Sequence, residues 1–306
     1  MKTCIIIHIL PQEIDQFEMQ MHELNKNIKL LCNKDDEIVI DATLNINDSI
    51  VDWNKSKISK QYFIDRFNKT KNINKYPTSL FYINDDYTCQ GVNDKRRSAI
   101  KKYSSNCNNL IYLDNDMFYP NITLKYMLDA AKSIKNKYYI ISPQSTVLWS
   151  DEWNVLVNDT YKNIPHEQLL DIDAYEVFTK NYGEIEIVSM NDTFKFGGGW
   201  FNLFSTNLLE FVGIPDTFSY YGPDDTFLEN ACKIMKKNGI DVQQYLVKNL
   251  VVTQNHLDTF NNIYKNYIVF DVDKKMKMAE NGLNYMELEL KRFEEKVKEE
   301  SKFNHN

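Results

Sequence analysis

Leu110-Ile-Tyr-Leu-Asp114-Asn115-Asp116 is the stretch that decides how the rest of the chain reads. Four apolar residues in a row suit a strand covered on both faces, and two carboxylates then leave it at i and i+2. The same alternation recurs upstream. Cys4–Leu10, Glu37–Ile40 (ending at Asp41) and Leu80–Ile83 read as strands, with helical patterns over Glu13–Leu31 and Ser98–Tyr103. Downstream, Leu124–Ile134 reads as a helix and Tyr138–Ile141 as a fifth strand. Short apolar strands alternating with helices predict an α/β fold on a mostly parallel central sheet flanked by helices. In such sheets ligands bind beyond the carboxyl ends of the strands, which is where the polar tails fall.

Beyond residue 145 the signals thin out. Pro143–Met190 has weak periodicity and predicts loops and short helices. Phe194–Phe204 carries Gly197-Gly198-Gly199, a third of the chain's 9 glycines, and reads as a loop or hairpin. Thr206–Val212 and Asp225–Lys237 are helical, the second capped by Asp224 or Asp225, and Tyr245–Val252 is a strand candidate. From about Lys274, Met276, Ala279, Leu283, Met286, Leu290, Phe293 and Val297 repeat at alternating spacings of 3 and 4. That stripe predicts a C-terminal helix, either packed on its own domain or pairing with a second copy as a homo-oligomer.

Composition bounds the function. The 306 residues carry 36 Lys+Arg against 43 Asp+Glu, a net charge of -7, and only four Arg. A basic nucleic-acid footprint is missing, so no nucleic-acid partner is expected. No apolar run approaches the roughly 18–20 residues of a transmembrane span, and Ile5–Leu10 is too short and too soon followed by Glu13 for a signal peptide. Five scattered Cys without a C-x-x-C suit a reducing compartment, and a cytoplasmic location is expected. Phosphate-loop, dinucleotide, zinc-protease and serine-hydrolase motifs are absent from the sequence.

The chemistry that remains is acidic. Asp114 and Asp116 at a strand end offer hard oxygen donors for Mn2+ or Mg2+, which can in turn bridge a diphosphate. Two further D-x-D matches compete. Asp171-Ile-Asp173 follows no strand, and Asp271-Val-Asp273 sits just before the terminal helix rather than closing the strand–helix series. Upstream, Gly91-Val-Asn-Asp94-Lys-Arg96-Arg97 leads into a helix and holds half of all Arg; an Arg there can face a diphosphate or a base, or simply be solvated. Gly197–Gly199 allow backbone to approach a ligand, and Trp200 offers a ring to stack on a sugar. Tyr220-Tyr-Gly222-Pro-Asp224-Asp225 places two carboxylates at a helix start, where one can act as a general base. His256 follows a strand and is a candidate metal ligand.

In this order the pieces resemble a glycosyltransferase of the GT-A fold, similar to family 2 and galactosyltransferase-like enzymes. The likeness runs over about residues 1–265: a nucleotide-sugar-binding half at 1–145, an acceptor half at 146–265, and a helical tail at 266–306. It implies a nucleotide-diphospho-sugar donor, a UDP-sugar favoured, and a glycan, protein or lipid-linked acceptor. It implies Mn2+ or Mg2+ on Asp114 and Asp116, completed by His256. It also implies Asp225 as base with Asp224 second, and donor contacts from Asp41, Asp94, Arg96, Arg97, Asp114, Asn115, Gly198, Gly199 and Trp200. The chain departs from the family pattern after the second strand, where Asp41-Ala-Thr-Leu-Asn45 stands in place of Asp-Asp-Gly-Ser, and after the first, where Pro11-Gln-Glu only partly echoes Pro-x-x-Asn. Two other readings stay open: a non-catalytic sugar-binding protein on this fold, and a sugar-1-phosphate nucleotidyltransferase. The latter family's Gly-rich basic N-terminal loop is absent here.

Overall fold

The computed structural model describes residues 1–31, 36–48, 51–72, 79–84, 91–145, 155–157, 185–219, 223–254, 264, 266–270 and 272–303. Within these, the strands are β1 (Lys2–Ile9), β2 (Glu37–Asn45), β3 (Ser79–Asn84), β4 (Asn109–Leu113), β5 (Met117–Phe118), β6 (Tyr138–Ser145), β7 (Glu186–Ser189), β8 (Trp200–Ser205) and β9 (Val242–Gln254). The helices are α1 (Ile14–Lys29), α2 (Lys60–Lys71), α3 (Val92–Tyr103), α4 (Thr123–Ser133), α5 (Thr206–Val212), α6 (Pro223–Lys237) and α7 (Val272–Phe303).

All nine strands join one sheet in the order β3-β2-β1-β4-β8-β6-β9-β5, with β7 paired to β9. The first four are mutually parallel. β8 runs antiparallel between β4 and β6, and β9 lies parallel to β6. β5 and β7 run antiparallel to β9. The expected α/β fold with most strands in one direction holds, because six strands share a sense and only β5, β7 and β8 oppose it.

Strand alternation sorts the core into two layers. Ile5, Ile7 and Ile9 of β1 and Ile111 and Leu113 of β4 pack with α1, α2 and α4. Cys4, Ile6, Leu110 and Tyr112 point the other way, towards α3, α5 and α6. Asp114 continues the parity of Leu110 and Tyr112, so it emerges on the α3 and α6 side.

Three local expectations change. β2 does not end at Asp41 but runs to Asn45, with Asp41 in register with Ile6 and Leu80. An interior charge is tolerated there because it is paired. The Gly-rich segment does not stay a loop: Trp200–Ser205 becomes β8, fully buried in the sheet. α2 was not anticipated; its apolar content is sparse, and it starts where the Ser59 hydroxyl accepts the Tyr62 N–H. The tail helix packs on its own domain. Phe293 and Val297 are buried, and the Phe293 ring lies 5.9 Å from Phe211 and 6.1 Å from Phe227. Met276 and Leu283 of the same stripe stay exposed.

Candidate active site: one arginine among three carboxylates

Four segments converge beyond the carboxyl end of β4. The Asp114 N–H donates to the Gly199 carbonyl at 3.0 Å, joining the D-x-D turn to the glycine run. That contact depends on a bulge. Tyr112 pairs with Asn202 and Leu113 with Trp200, so Phe201 is the extra residue, and it takes φ +59°. A left-handed Phe is strained, and bulges re-aim strands beside functional sites. Here the bend lays residues 197–199 against the acids.

The glycines are there for the carboxylates. A Cβ on Gly199 would overlap the Asp114 carboxylate, and one on Gly198 would overlap that of Asp225 and stand 2.8 Å from the Arg96 guanidinium. At Gly197 it would meet the Trp200 ring. Trp200 itself is buried, at 5% exposure, against this backbone.

Arg96 is the centre of the cluster. It is 5% exposed and its guanidinium lies 4.6 Å from the centre of the Tyr112 ring. It pairs with Asp224 at 2.6 Å, Asp114 at 3.5 Å and Asp225 at 3.8 Å. Burial opposes its charge, but Asp224, Asp114 and Asp225 outweigh that and hold its pKa above the ordinary arginine value. Arg97 points elsewhere: it donates to the carbonyls of Ile214, Pro215 and Phe218 and to Asp94. Asp94 accepts the Gly91 N–H at the head of α3. Both residues therefore brace α3.

One cation does not satisfy three acids. Asp224 is buried, and among the described residues its Oδ1 has no hydrogen-bond partner. The Asp225 side chain is 26% exposed, and its Oδ2 accepts the Gly198 N–H at 2.9 Å. Burial, then the neighbouring Asp224 charge, push the Asp225 carboxyl well above the usual carboxylate range. Asp114 is the open member, with 44% of its side chain exposed. The protein packed around it nonetheless raises its pKa, with Arg96 working against the rise and Asp224 with it.

Asn115 turns to the opposite side. Its Nδ2 donates to the His8 carbonyl at 2.8 Å and to Glu13 Oε2 at 3.1 Å. Gln20 Nε2 donates to the carbonyls of Asn115 and Met117. Glu13 was missed in the sequence. It shows locally only as a helix-start signal, Pro11-Gln-Glu13 with its carboxylate on the Leu10 N–H. Burial, aided by Asp116 and Asp114, pushes Glu13 up to about 7.

Asp41 lies apart, inside the sheet layer. It is 1% exposed and bound by Lys95, by Lys102 Nζ at 3.0 Å and by the Tyr103 hydroxyl at 2.5 Å. Burial alone would raise its pKa, but Lys95, Tyr103 and Lys102 hold it below the usual range. Both its oxygens are engaged within the protein. His256, Tyr220, Tyr221, Gly222, Asp171, Asp173 and Asp271 lie outside the described residues.

With this geometry in place the chain can be set beside known proteins. No family model and no curated protein matches it. Similar solved structures include GalNAc-T7 with UDP, GalNAc and Mn2+, at 11% identity and a TM-score of 0.49, over 83% of this chain and 43% of that one. S. aureus TarS 1–349 matches at 10% and 0.47, over 83% of this chain and 60% of that one. Glucosyl-3-phosphoglycerate synthase from Mycobacterium tuberculosis, in complex with Mg2+ and uridine diphosphate, matches at 9% and 0.41, over 80% and 69%. The likeness is at most one of fold. It is partial, and the chemistry of the site rests on its own residues. Among the described residues no helix is long and apolar enough to cross a membrane.

Proposed function

We propose that the chain is a metal-dependent, inverting glycosyltransferase that moves a sugar from a nucleotide-diphosphate donor, a UDP-sugar by preference, to a hydroxyl acceptor. The observation that carries this reading is Asp225. It is a partly exposed carboxylate of raised basicity, aimed by the Gly198 N–H and set beside a permanently charged guanidinium. That is what a general base for a hydroxyl requires: a fixed direction and a pKa nearer the working pH than that of a free aspartate.

Asp225 takes the acceptor proton as the acceptor oxygen bonds to the anomeric carbon. The bond from that carbon to the nucleoside diphosphate breaks on the opposite face, so the configuration inverts. Asp224, locked to Arg96 at 2.6 Å, holds the head of α6 in place, and its other oxygen, unpartnered among the described residues, can accept a ligand hydroxyl. Gly198 and Gly199 shape the donor side, while Asn115 braces the turn from behind through His8 and Glu13. Asp94 and Arg97 brace α3 behind that wall and Trp200 packs against its backbone.

The donor set suits a hard divalent cation. Asp114 and Asp116 would supply oxygen ligands, and Asp114 has exposed surface to offer. Among the described residues no group of three His, Cys, Asp or Glu is assembled for a metal, and His256 is the further ligand we assign from the sequence. When bound, Mn2+ or Mg2+ neutralises the charge on the departing diphosphate.

A panel of nucleotide sugars, read by released nucleotide with and without Mn2+ or Mg2+, tests this. Release from a UDP-sugar that stops on chelation is expected. A raised melting temperature with UDP and Mn2+ but no release from any donor makes the protein a sugar-nucleotide binder instead. Absence of both effects overturns both readings.

A further inference from the structure

Glycine is the poorest helix former after proline, yet Gly282 sits in the interior of α7, a helix of 32 residues. Its backbone needs no left-handed conformation. What it lacks is room. A Cβ there would stand 2.7 Å from Pro223 Cγ and 3.5 Å from the Phe218 ring.

Pro223 is the first residue of α6, immediately before Asp224 and Asp225. Its ring is rigid and cannot swing aside, so bulk at position 282 must change how α7 seats on the head of α6. Phe218 belongs to the same joint. Its ring packs on Phe227 of α6 at 5.5 Å, and its carbonyl accepts from Arg97, the neighbour of Arg96. On the same stretch, Thr217 Oγ1 lies 3.2 Å from Glu289 of α7. Further along, α7 is anchored by buried Phe293 and Val297.

We infer that α7 is a positioning element for the carboxylate pair, with Gly282 as its contact point. The approach of α7 to Pro223 sets where Asp225 meets Gly198 and where Asp224 meets Arg96. The consequence for turnover rests on the transferase reading; the contact itself does not.

Amide hydrogen exchange of Gly198, whose N–H is held by Asp225, reads the contact directly. Gly282→Ala should raise the Gly198 exchange rate at least 10-fold, while Ile111 and Leu113 in β4 keep theirs. Helix propensity alone makes the opposite forecast, an unchanged or steadier protein. Adding Pro223→Ala in the same chain removes the obstructing ring and should return Gly198 towards its original rate. Pro223→Ala alone, which adds no bulk, approaches the contact from the other side and should also quicken Gly198, by about 3-fold. If Gly198 is unchanged in both single variants, or merely follows the β4 amides, the inference falls. On any nucleotide sugar the wild type consumes, Gly282→Ala should lower kcat about 10-fold with KM little changed, because misplacement of a base affects the chemical step. A wild type that consumes none sinks the transferase reading and leaves the exchange result to decide the contact.

Discussion

Lys95 and Arg96 are neighbours on α3, both nearly sealed from solvent at 7% and 5% exposure, yet they serve opposite kinds of charge cluster. Successive helical residues point about 100° apart, so they face different partners. On the Lys95 side two ammonium groups and a tyrosine hydroxyl meet one carboxylate, Asp41. That acid is over-compensated, buried, and lowered in pKa. On the Arg96 side one guanidinium meets three carboxylates. There Asp224 keeps an oxygen with no partner among the described residues, and Asp114 and Asp225 are raised in pKa. A closed, satisfied cluster holds a fold together. An under-compensated one at a mouth is poised to take a cation, a proton or a ligand hydroxyl.

Breaking each cluster should therefore have a different signature. The largest effect expected is on turnover. Asp225→Asn is nearly isosteric and removes basicity, so the rate should fall by about 10²–10⁴-fold with donor affinity little changed. Its melting temperature should not fall, because an unfavourable charge is lost. Near-wild-type turnover in Asp225→Asn with a collapse in Asp224→Asn would exchange their roles.

Asp41→Ala should do the reverse. It strands Lys95 without its buried partner, and removing one member of such a pair costs about 3–5 kcal/mol. Denaturant unfolding measures that loss. A stability close to wild type, with donor binding abolished instead, would move Asp41 from the framework into the donor site.

Glu13 sharpens the comparison through pH. Its carboxyl ionises near 4.5 when unfolded and is pushed up to about 7 in the fold. The native state thus binds this proton more tightly. The stability it contributes is complete below about 4.5 and is lost as pH rises through 7. The difference amounts to at most roughly 3 kcal/mol. Glu13→Gln should flatten that part of the stability profile between pH 4.5 and 7. An unaltered profile would mean Glu13 ionises normally.

The two clusters were not equally legible. Asp114, Asp116, Asp224 and Asp225 stand out because each pair ends a strand or begins a helix, and such positions follow from local periodicity. Arg96 was visible as a charge near a helix start, but not as the partner of Asp224, 128 residues away. The glycine run was expected to make room for a ligand; its nearest neighbours are the acids and Trp200. Asp41 looked like a strand-end acid because Ala42, Thr43 and Leu44 carry no strong strand signal. Pairing with β1 and β3 carries the strand through them.

Hydrophobic alternation over residues 1–145 was enough to establish the α/β order, the parallel first half of the sheet and the edge at which the acids emerge. It also marked α7 as a helix with an apolar stripe, because spacing along a helix or strand is a property of neighbours in the chain. It could not say that β8 would enter between β4 and β6, that Phe201 would bulge, or that Gly282 would face Pro223. Those depend on which distant segments share a surface. That is decided by how two apolar layers close over one sheet, with every buried charge having to find its partner across it.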